Sequence, residues 1–300
     1  MGILDGKVAI VTGGGRGLGR AHCLALAEAG AAVVVNDLGS GLHGETTGES
    51  PADDVVAEIK ELGGLAVANH ASVTDWTATE ALVAETVERF GRLDIVVNNA
   101  GIVRDRMLFS MTEAEFDDVI AVHLKGTFAL TRHACAYWRQ VAKQGRPVAG
   151  RVINTTSGTG LFGNVGQANY GAAKAGIANL TVITALEMRR YGVTANAISP
   201  LAATRMTAGL PVGGDGERDG FDPRAPENAS GVVVYLASDQ AGWLTGQVLR
   251  VDGATVNRLQ GWAIVGNHTS ATGAAVTAAE LVEALPGLYG VAPTGGPATR

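Results

Sequence analysis

The stretch from Gly6 to Gly39, GKVAIVTGGGRGLGRAHCLALAEAGAAVVVNDLG, constrains the fold of this 300-residue chain more than any other part of it. Lys7 to Thr12 is a short apolar, β-branched run, which predicts a buried strand. A glycine loop with Gly13, Gly17 and Gly19 follows. The pattern then predicts a helix from about Leu18 to Ala29, stopped by Gly30, and a second buried strand from Val33 to Asn36. A loop this rich in glycine lets backbone approach a pyrophosphate closely, and the helix N-terminus that follows favours negative charge. Gly13, Arg16, Gly17, Leu18 and Gly19 therefore form a candidate phosphate cradle. Asp37 ends the second strand, where a carboxylate accepts hydrogen bonds from ribose hydroxyls and repels a 2′-phosphate. Arg16 pulls the other way, since a guanidinium can serve a 2′-phosphate or sit beside the pyrophosphate. Asp37 carries more weight, and NAD(H) is expected over NADP(H).

Strand and helix patterns then alternate along the chain. Strands are expected at 7–12, 32–36, 65–69, 93–97, 150–155, 193–198 and 247–251, and helices at 18–29, 51–62, 75–90, 112–142, 165–190 and 226–237. Such alternation predicts an α/β fold: a doubly wound parallel sheet of Rossmann type, one domain with helices on both faces. Three segments depart from this pattern. Residues 38–50 form a polar loop beside the expected adenosine site, and 207–225 are rich in Gly, Pro and Asp where a substrate lid would lie. Residues 266–300 are a tail with one helical patch, so the domain is expected to span 1–265 with a C-terminal extension after it.

A second feature carries chemistry. Tyr170 and Lys174 stand four apart on an expected helix and so share a face. A phenol with a pKa near 10 is a poor base at neutral pH, and a fixed ammonium one turn away favours the phenolate. Ser157, at the end of the preceding strand, is placed to hold a reacting oxygen. Together they can move a proton on or off a carbinol while a hydride moves elsewhere.

Hydrophobic residues make up 46% of the chain, enough for a large α/β core. No apolar run approaches a membrane span and the chain begins directly on a strand, so a cytoplasmic location is expected. Cys23 and Cys135 match no metal spacing and are expected as reduced packing residues, with no metal site. A formal net charge of −6 and the absence of a basic run argue against a nucleic-acid partner.

Taken in order, TGGGRGLG, Asp37, NNAG at 98–101, Ser157, YGAAK at 170–174 and NAISP ending at Pro200 resemble the short-chain dehydrogenase/reductase family over roughly residues 5–255. The resemblance implies Tyr170 as catalytic acid/base, Lys174 as its partner and a ribose ligand, and Ser157 as the group orienting the substrate oxygen. It implies that Asn99, Ala100 and Gly101 pass under the adenosine side of the cofactor. Ser72 and Val73 would lie by the adenine, and Pro200 and Thr204 near the nicotinamide. Within the family, VVVNDLG, NNAGIVRDR, VHLKGTF, GNVGQANYGAAKAG and TRMT are similar to the (3R)-hydroxyacyl-CoA dehydrogenase domain of peroxisomal multifunctional enzyme type 2 and its actinobacterial stand-alone relatives. AGIxRD is shared with bacterial 3-oxoacyl-thioester reductases. The implied reaction interconverts a 3-hydroxyacyl-CoA and a 3-oxoacyl-CoA with NAD, in fatty-acid or steroid degradation. The implied assembly is a homodimer or homotetramer, paired through the 112–142 helix and the helix bearing Tyr170.

Two positions depart from the common family pattern. His123 stands where many members carry an Asn that holds a relay water, and it either takes over that role or simply packs. Leu201 follows Pro200 where many relatives have Gly, and Thr204 is one residue closer to Pro200 than usual. Arg104 and Arg106 either meet the phosphates of a CoA tail or cap a loop through Asp105, and Arg205 is a candidate substrate contact. Trp243 and Trp262 would line an acyl pocket or a subunit contact. Two other functions stay open: an NAD(P)-dependent dehydrogenase of hydroxysteroids or other secondary alcohols, and a non-catalytic dinucleotide sensor. The retained Ser, Tyr and Lys speak against the sensor.

Overall fold

Each strand of the apolar runs offers side chains alternately to two sides, so a parallel sheet built from them needs a helical layer on both faces. The computed structural model describes residues 2–41, 48–202, 220–271 and 273–288 and divides into two compact units, Met1–Leu259 and Gln260–Arg300. The first unit holds one eight-stranded sheet. Its strands are β1 (Val8–Thr12), β2 (Ala32–Asn36), β3 (Ala66–Asn69), β4 (Ile95–Asn98), β5 (Arg151–Thr155), β6 (Thr194–Leu201), β7 (Val248–Asp252) and β8 (Thr255–Leu259). The order is β3-β2-β1-β4-β5-β6-β7-β8, parallel throughout except that β8 returns antiparallel to β7. The connection reverses direction between β1 and β4, which opens a crevice at the carboxyl ends of these strands.

The alternation is visible in the core. Ala9, Val11, Val33, Val35, Ile95, Val97 and Ile153 join a cluster with Leu26 of α1 (Gly17–Glu28), Val55 and Ile59 of α2 (Pro51–Glu61) and buried residues of the 230–237 helix. Ile10, Val34, Val96 and Val152 face the other way. They meet Leu82 and Val83 of α3 (Trp76–Phe90) and residues of the helices at 126–143 and 168–188. Successive residues of one strand thus feed opposite layers, as the period of two requires.

The long helices differ from the expected ones at points that matter for the site. The segment expected at 112–142 is α4 (Glu113–Val119), a π-helical turn (Ile120–Lys125) and α5 (Gly126–Lys143). Thr112 and Glu115 cap α4 reciprocally, Glu115 N donating to Thr112 Oγ1 at 3.2 Å and Thr112 N to Glu115 Oε2 at 2.9 Å. The segment expected at 165–190 is α6 (Gly158–Phe162) followed by α7 (Ala168–Met188). Gly163 and Gly166, with φ of 77° and 81°, take the left-handed backbone that separates them. Residues 226–229 form a 3-10 turn before α8 (Ser230–Ala237), and β8 was not expected from the sequence.

The second unit contains α9 (Ala278–Leu288), which overlaps the helical patch expected at 277–287, with Thr277 N donating to Glu280 Oε2 at 2.7 Å at its start. Among the described residues, no helix is long and apolar enough to cross a membrane. Parts of the expected loop at 38–50 and lid at 207–225 lie outside the described residues, as do Thr204 and Arg205.

Candidate active site

At the carboxyl end of β1 the chain must turn sharply, and Gly13 does so with φ 61°. A Cβ there would lie 2.8 Å from Ala100 Cα, and one on Gly19 would lie 1.9 Å from the Gly13 carbonyl oxygen. Both positions exclude any side chain, so the loop, α1 and the end of β4 close on one another as bare backbone. Asn99 stitches this junction, donating through Nδ2 to the carbonyls of Thr12 and Gly13, both at 3.1 Å.

The result is a cleft of about 440 Å³ at the crevice between β1 and β4. Gly13, Arg16, Gly17, Leu18, Gly19, Asp37, Ser72, Val73, Asn99, Ala100 and Gly101 all line it. The Asp37 carboxylate is prearranged there: Gly15 N donates to Oδ2 and Gly39 N to Oδ1, each at 2.9 Å. Arg16 lines the cleft with its guanidinium already engaged. It donates to the Ser40 carbonyl at 3.1 Å and forms an ion pair with Glu49. Shape, glycine contacts and the carboxylate fit an adenosine dinucleotide.

The catalytic candidates come together on the neighbouring strand, outside the lining of that cleft. Ser157 caps α6, its Oγ accepting from Thr159 N at 3.2 Å. Gly160 lets α6 sit against α7, since a Cβ there would lie 2.6 Å from Ala175 N. Lys174 is buried, with Nζ donating to the Thr155 carbonyl at 2.7 Å and standing 5.5 Å from the centre of the Tyr170 ring. Thr156 Oγ1 donates back to the Lys174 carbonyl at 2.7 Å, so the end of β5 and α7 are tied twice.

The electrostatics of the pair correct the sequence-based expectation. Burial pushes the Tyr170 phenol up to about 12, against a hydrogen bond from Ser157 that lowers it, and the Asp105 charge adds to the rise. Burial also pulls the Lys174 ammonium down to about 7. Loss of hydration outweighs the attraction of a cation whose Nζ is turned to a backbone carbonyl.

His123 is held in the π-helical turn, fully buried, and meets Tyr170 edge-on with ring centres 5.1 Å apart. Its Nε2 lies 2.8 Å from the Ile102 carbonyl and 3.1 Å from Ile102 N. Nδ1 has no hydrogen-bond partner among the described residues. Burial and the Lys174 charge lower its pKa to about 3, so the ring is neutral at physiological pH. Gly101 makes room for it, because a Cβ at 101 would fall 2.3 Å from the ring.

Of the other candidates, Pro200 and Arg106 are placed apart from the cleft, whereas Arg104 lines it. Pro200 pairs with Val251 at the end of β6 and does not line the cleft. Arg104 pairs with Asp118 at 3.3 Å and Arg106 with Glu115 at 2.9 Å, so neither is a free cation waiting for phosphate. Sequence reasoning placed Ser40 only within the polar loop at 38–50, and it missed Thr74 and Asp118 in the cleft wall and the buried amides of Gln167 and Asn169 beside Tyr170. Small polar residues in loops and at a helix start carry no periodic signal that marks them as lining or buried.

The switch-point crevice and its glycine loop define a Rossmann-type dinucleotide-binding protein. The model of the short chain dehydrogenase family matches residues 7–211, and the chain belongs to that family of oxidoreductases, which implies a nicotinamide dinucleotide cofactor. The hydroxyacyl-CoA dehydrogenase ChsB1 of Mycobacterium tuberculosis is 49% identical over 256 residues, 84% of this chain and 79% of that protein. The peroxisomal multifunctional enzyme type 2 of Mus musculus is 44% identical over 252 residues, which is 80% of this chain but 32% of the mouse enzyme. A crystal structure of a short chain dehydrogenase from Mycobacterium avium superposes with a TM-score of 0.86 at 53% identity, covering 97% of each chain.

Proposed function

We propose that this protein is an NAD-dependent dehydrogenase that interconverts a 3-hydroxyacyl-CoA and a 3-oxoacyl-CoA. The observation that carries the proposal is the joining of Ser157, Tyr170 and Lys174 on the ends of β5 and α7, next to a glycine-lined dinucleotide cleft. The choice of acyl-CoA follows the hydroxyacyl-CoA dehydrogenase among its relatives. The choice of NAD rests on Asp37, held by two backbone amides, and on Arg16, engaged by Glu49.

The dinucleotide, when bound, supplies the acceptor for the hydride leaving C3 and a positive charge near the phenol. Gly13 to Gly19 hold its phosphates, Asp37 its adenosine ribose, and Lys174 its other ribose. In the oxidative direction Tyr170 acts as the phenolate, which the cofactor's positive charge favours against burial, and takes the hydroxyl proton at its phenolic oxygen, while Ser157 holds the same substrate oxygen by hydrogen bond. In the reverse direction the raised pKa keeps Tyr170 protonated and ready to donate. In the oxidative direction a Lys174 pKa near 7 suits passing the proton taken by Tyr170 outward at neutral pH. His123, neutral and edge-on to Tyr170, joins this set as the residue that holds a relay water through Nδ1 rather than as a proton acceptor itself. Exposed Phe128 on α5, with Val182, Ile183 and Leu186 on α7, supports assembly as a homodimer or homotetramer. The dehydrogenase domain is taken to reach residue 265, with 266–300 as its extension.

The test is NAD⁺ reduction against 3-hydroxyacyl-CoAs of short, long and steroid-like chains, with a free steroid alcohol and an acyl-carrier-protein thioester alongside. Turnover of the CoA thioesters above the others supports the proposal. Turnover confined to the free alcohol overturns the substrate class, and no hydride transfer to any substrate overturns the enzymatic reading.

A further inference from the structure

Two amide side chains at the start of α7 make hydrogen bonds that reach three other segments. Asn169 is fully buried. Its Nδ2 donates to the Arg104 carbonyl at 3.0 Å, in the loop after β4, and to the Glu115 carbonyl at 2.9 Å, in α4. Its Oδ1 accepts from Tyr170 N at 2.7 Å. That N–H is one of the first donors of the helix, which have no partner inside it. Gln167, also buried, donates through Nε2 to Asp105 Oδ2 at 2.8 Å. Its Oε1 accepts from Thr159 Oγ1 and from Asn164 Nδ2, both at 3.0 Å. Thr159 in turn donates its N–H to Ser157 Oγ at 3.2 Å. Arg106 N donates to the Gly166 carbonyl at 2.8 Å and closes the contact between the two loops.

We propose that Gln167 and Asn169 are positioning residues, which brace Tyr170 and the Ser157 segment against the loop after β4 through the anchor of Asp105. This rests on the assignment of Tyr170 as acid/base. The brace spans both sides of the reacting position: Asn169 fixes the backbone at Tyr170, and Gln167 fixes the helix that Ser157 caps. Neither amide lines the dinucleotide cleft, although Arg104, whose carbonyl Asn169 holds, does. Loosening the arm formed by Asp105 and Gln167, which are not part of that lining, therefore affects the alignment of the proton-transfer groups more than cofactor binding. Small errors of alignment weigh heavily on rate, because reacting atoms must be held near contact.

Asp105 is the accessible end of the brace, so it can be changed without opening the core. Asp105→Ala removes the anchor. Asp105→Asn removes the charge but keeps an oxygen that accepts from Gln167. Each variant is assayed at its own pH optimum for kcat and KM, and NADH affinity is measured by fluorescence titration. We expect kcat of Asp105→Ala to fall about tenfold, the effect of one lost charge-assisted hydrogen bond, with NADH affinity within about twofold of wild type. Asp105→Asn is expected to keep most of kcat. Three results overturn the proposal: wild-type kcat in Asp105→Ala, a loss of NADH affinity that matches the loss of kcat, or equal damage in both variants. Tyr170→Phe is run beside them. An active Tyr170→Phe removes the reading on which the brace depends, whereas an inactive one with normal Asp105→Ala removes the brace alone.

Discussion

Replacing Asp37 with Ala should change which dinucleotide the protein prefers. Asp37 is partly exposed, and its two oxygens already accept from Gly15 N and Gly39 N at 2.9 Å, so the carboxylate stands fixed at the end of β2. A ribose hydroxyl donating to it makes a charge-assisted hydrogen bond, worth about 1.5–3 kcal/mol. A 2′-phosphate in the same place meets like charge: at about 4 Å and an effective dielectric constant of about 20, each pair of unit charges repels by about 4 kcal/mol. Exposure and salt reduce this to roughly 1–2 kcal/mol. The Ala variant loses the first term for NADH and is relieved of the second for NADPH. The ratio of the two affinities should therefore move by roughly two to four orders of magnitude. Fluorescence titration of the folded variant with NADH and NADPH measures it directly. Glu49→Gln provides an independent arm, since it frees Arg16 and should tighten NADPH while leaving NADH unchanged. A ratio in Asp37→Ala within about twofold of wild type would refute the role given to this carboxylate.

Tyr170→Phe should remove nearly all turnover while NADH still binds, because the proposed mechanism assigns the proton transfer to the phenolic oxygen and only packing to the ring; retained turnover contradicts the assignment. His22, between α1 and α8 with Nδ1 2.9 Å from Ser230 Oγ, and His123 are both kept neutral by burial, with pKa values lowered from 6.5 to about 4 and about 3. The unfolded chain binds these protons first as pH falls. Stability present above pH 6.5 should thus decline towards pH 4 by up to about 2.7 kcal/mol per pH unit for the pair. Urea unfolding across this range checks it: His22→Met should remove about half of the slope, and a flat profile in the wild type defeats the argument. Gly160→Ala drives a Cβ to 2.6 Å from the α7 backbone. It should destabilise the fold by about 1–3 kcal/mol and lower kcat by separating Ser157 from Tyr170; an unchanged melting temperature and kcat would show that α6 yields freely.

The parallel sheet, its helices on both faces and the glycine cleft were legible in the chain, because they follow from local pattern. Val33 to Val35 can only be strand, and Gly13 and Gly19 fill a loop where no Cβ fits. Eleven of the cofactor residues expected from the sequence line one cleft for the same reason. The π-helical turn at Ile120–Lys125 was not legible, since a single wide turn leaves the apolar spacing of a long helix almost unchanged. Nor was β8, a short strand whose pattern burial does not enforce.

What the sequence determined by itself was therefore the class of fold, the glycine loop and the presence of Ser157, Tyr170 and Lys174, all of which depend on neighbours close in the chain. The tertiary structure decided their environment. The attraction expected between Lys174 and Tyr170 gives way to desolvation of both, and the Arg16 guanidinium is engaged by Glu49. Gln167 and Asn169 turn from ordinary polar residues into buried links between segments. The physical reason is common to these cases: burial and hydrogen-bond partners come from residues far apart in sequence, and no local pattern encodes the water that folding removes.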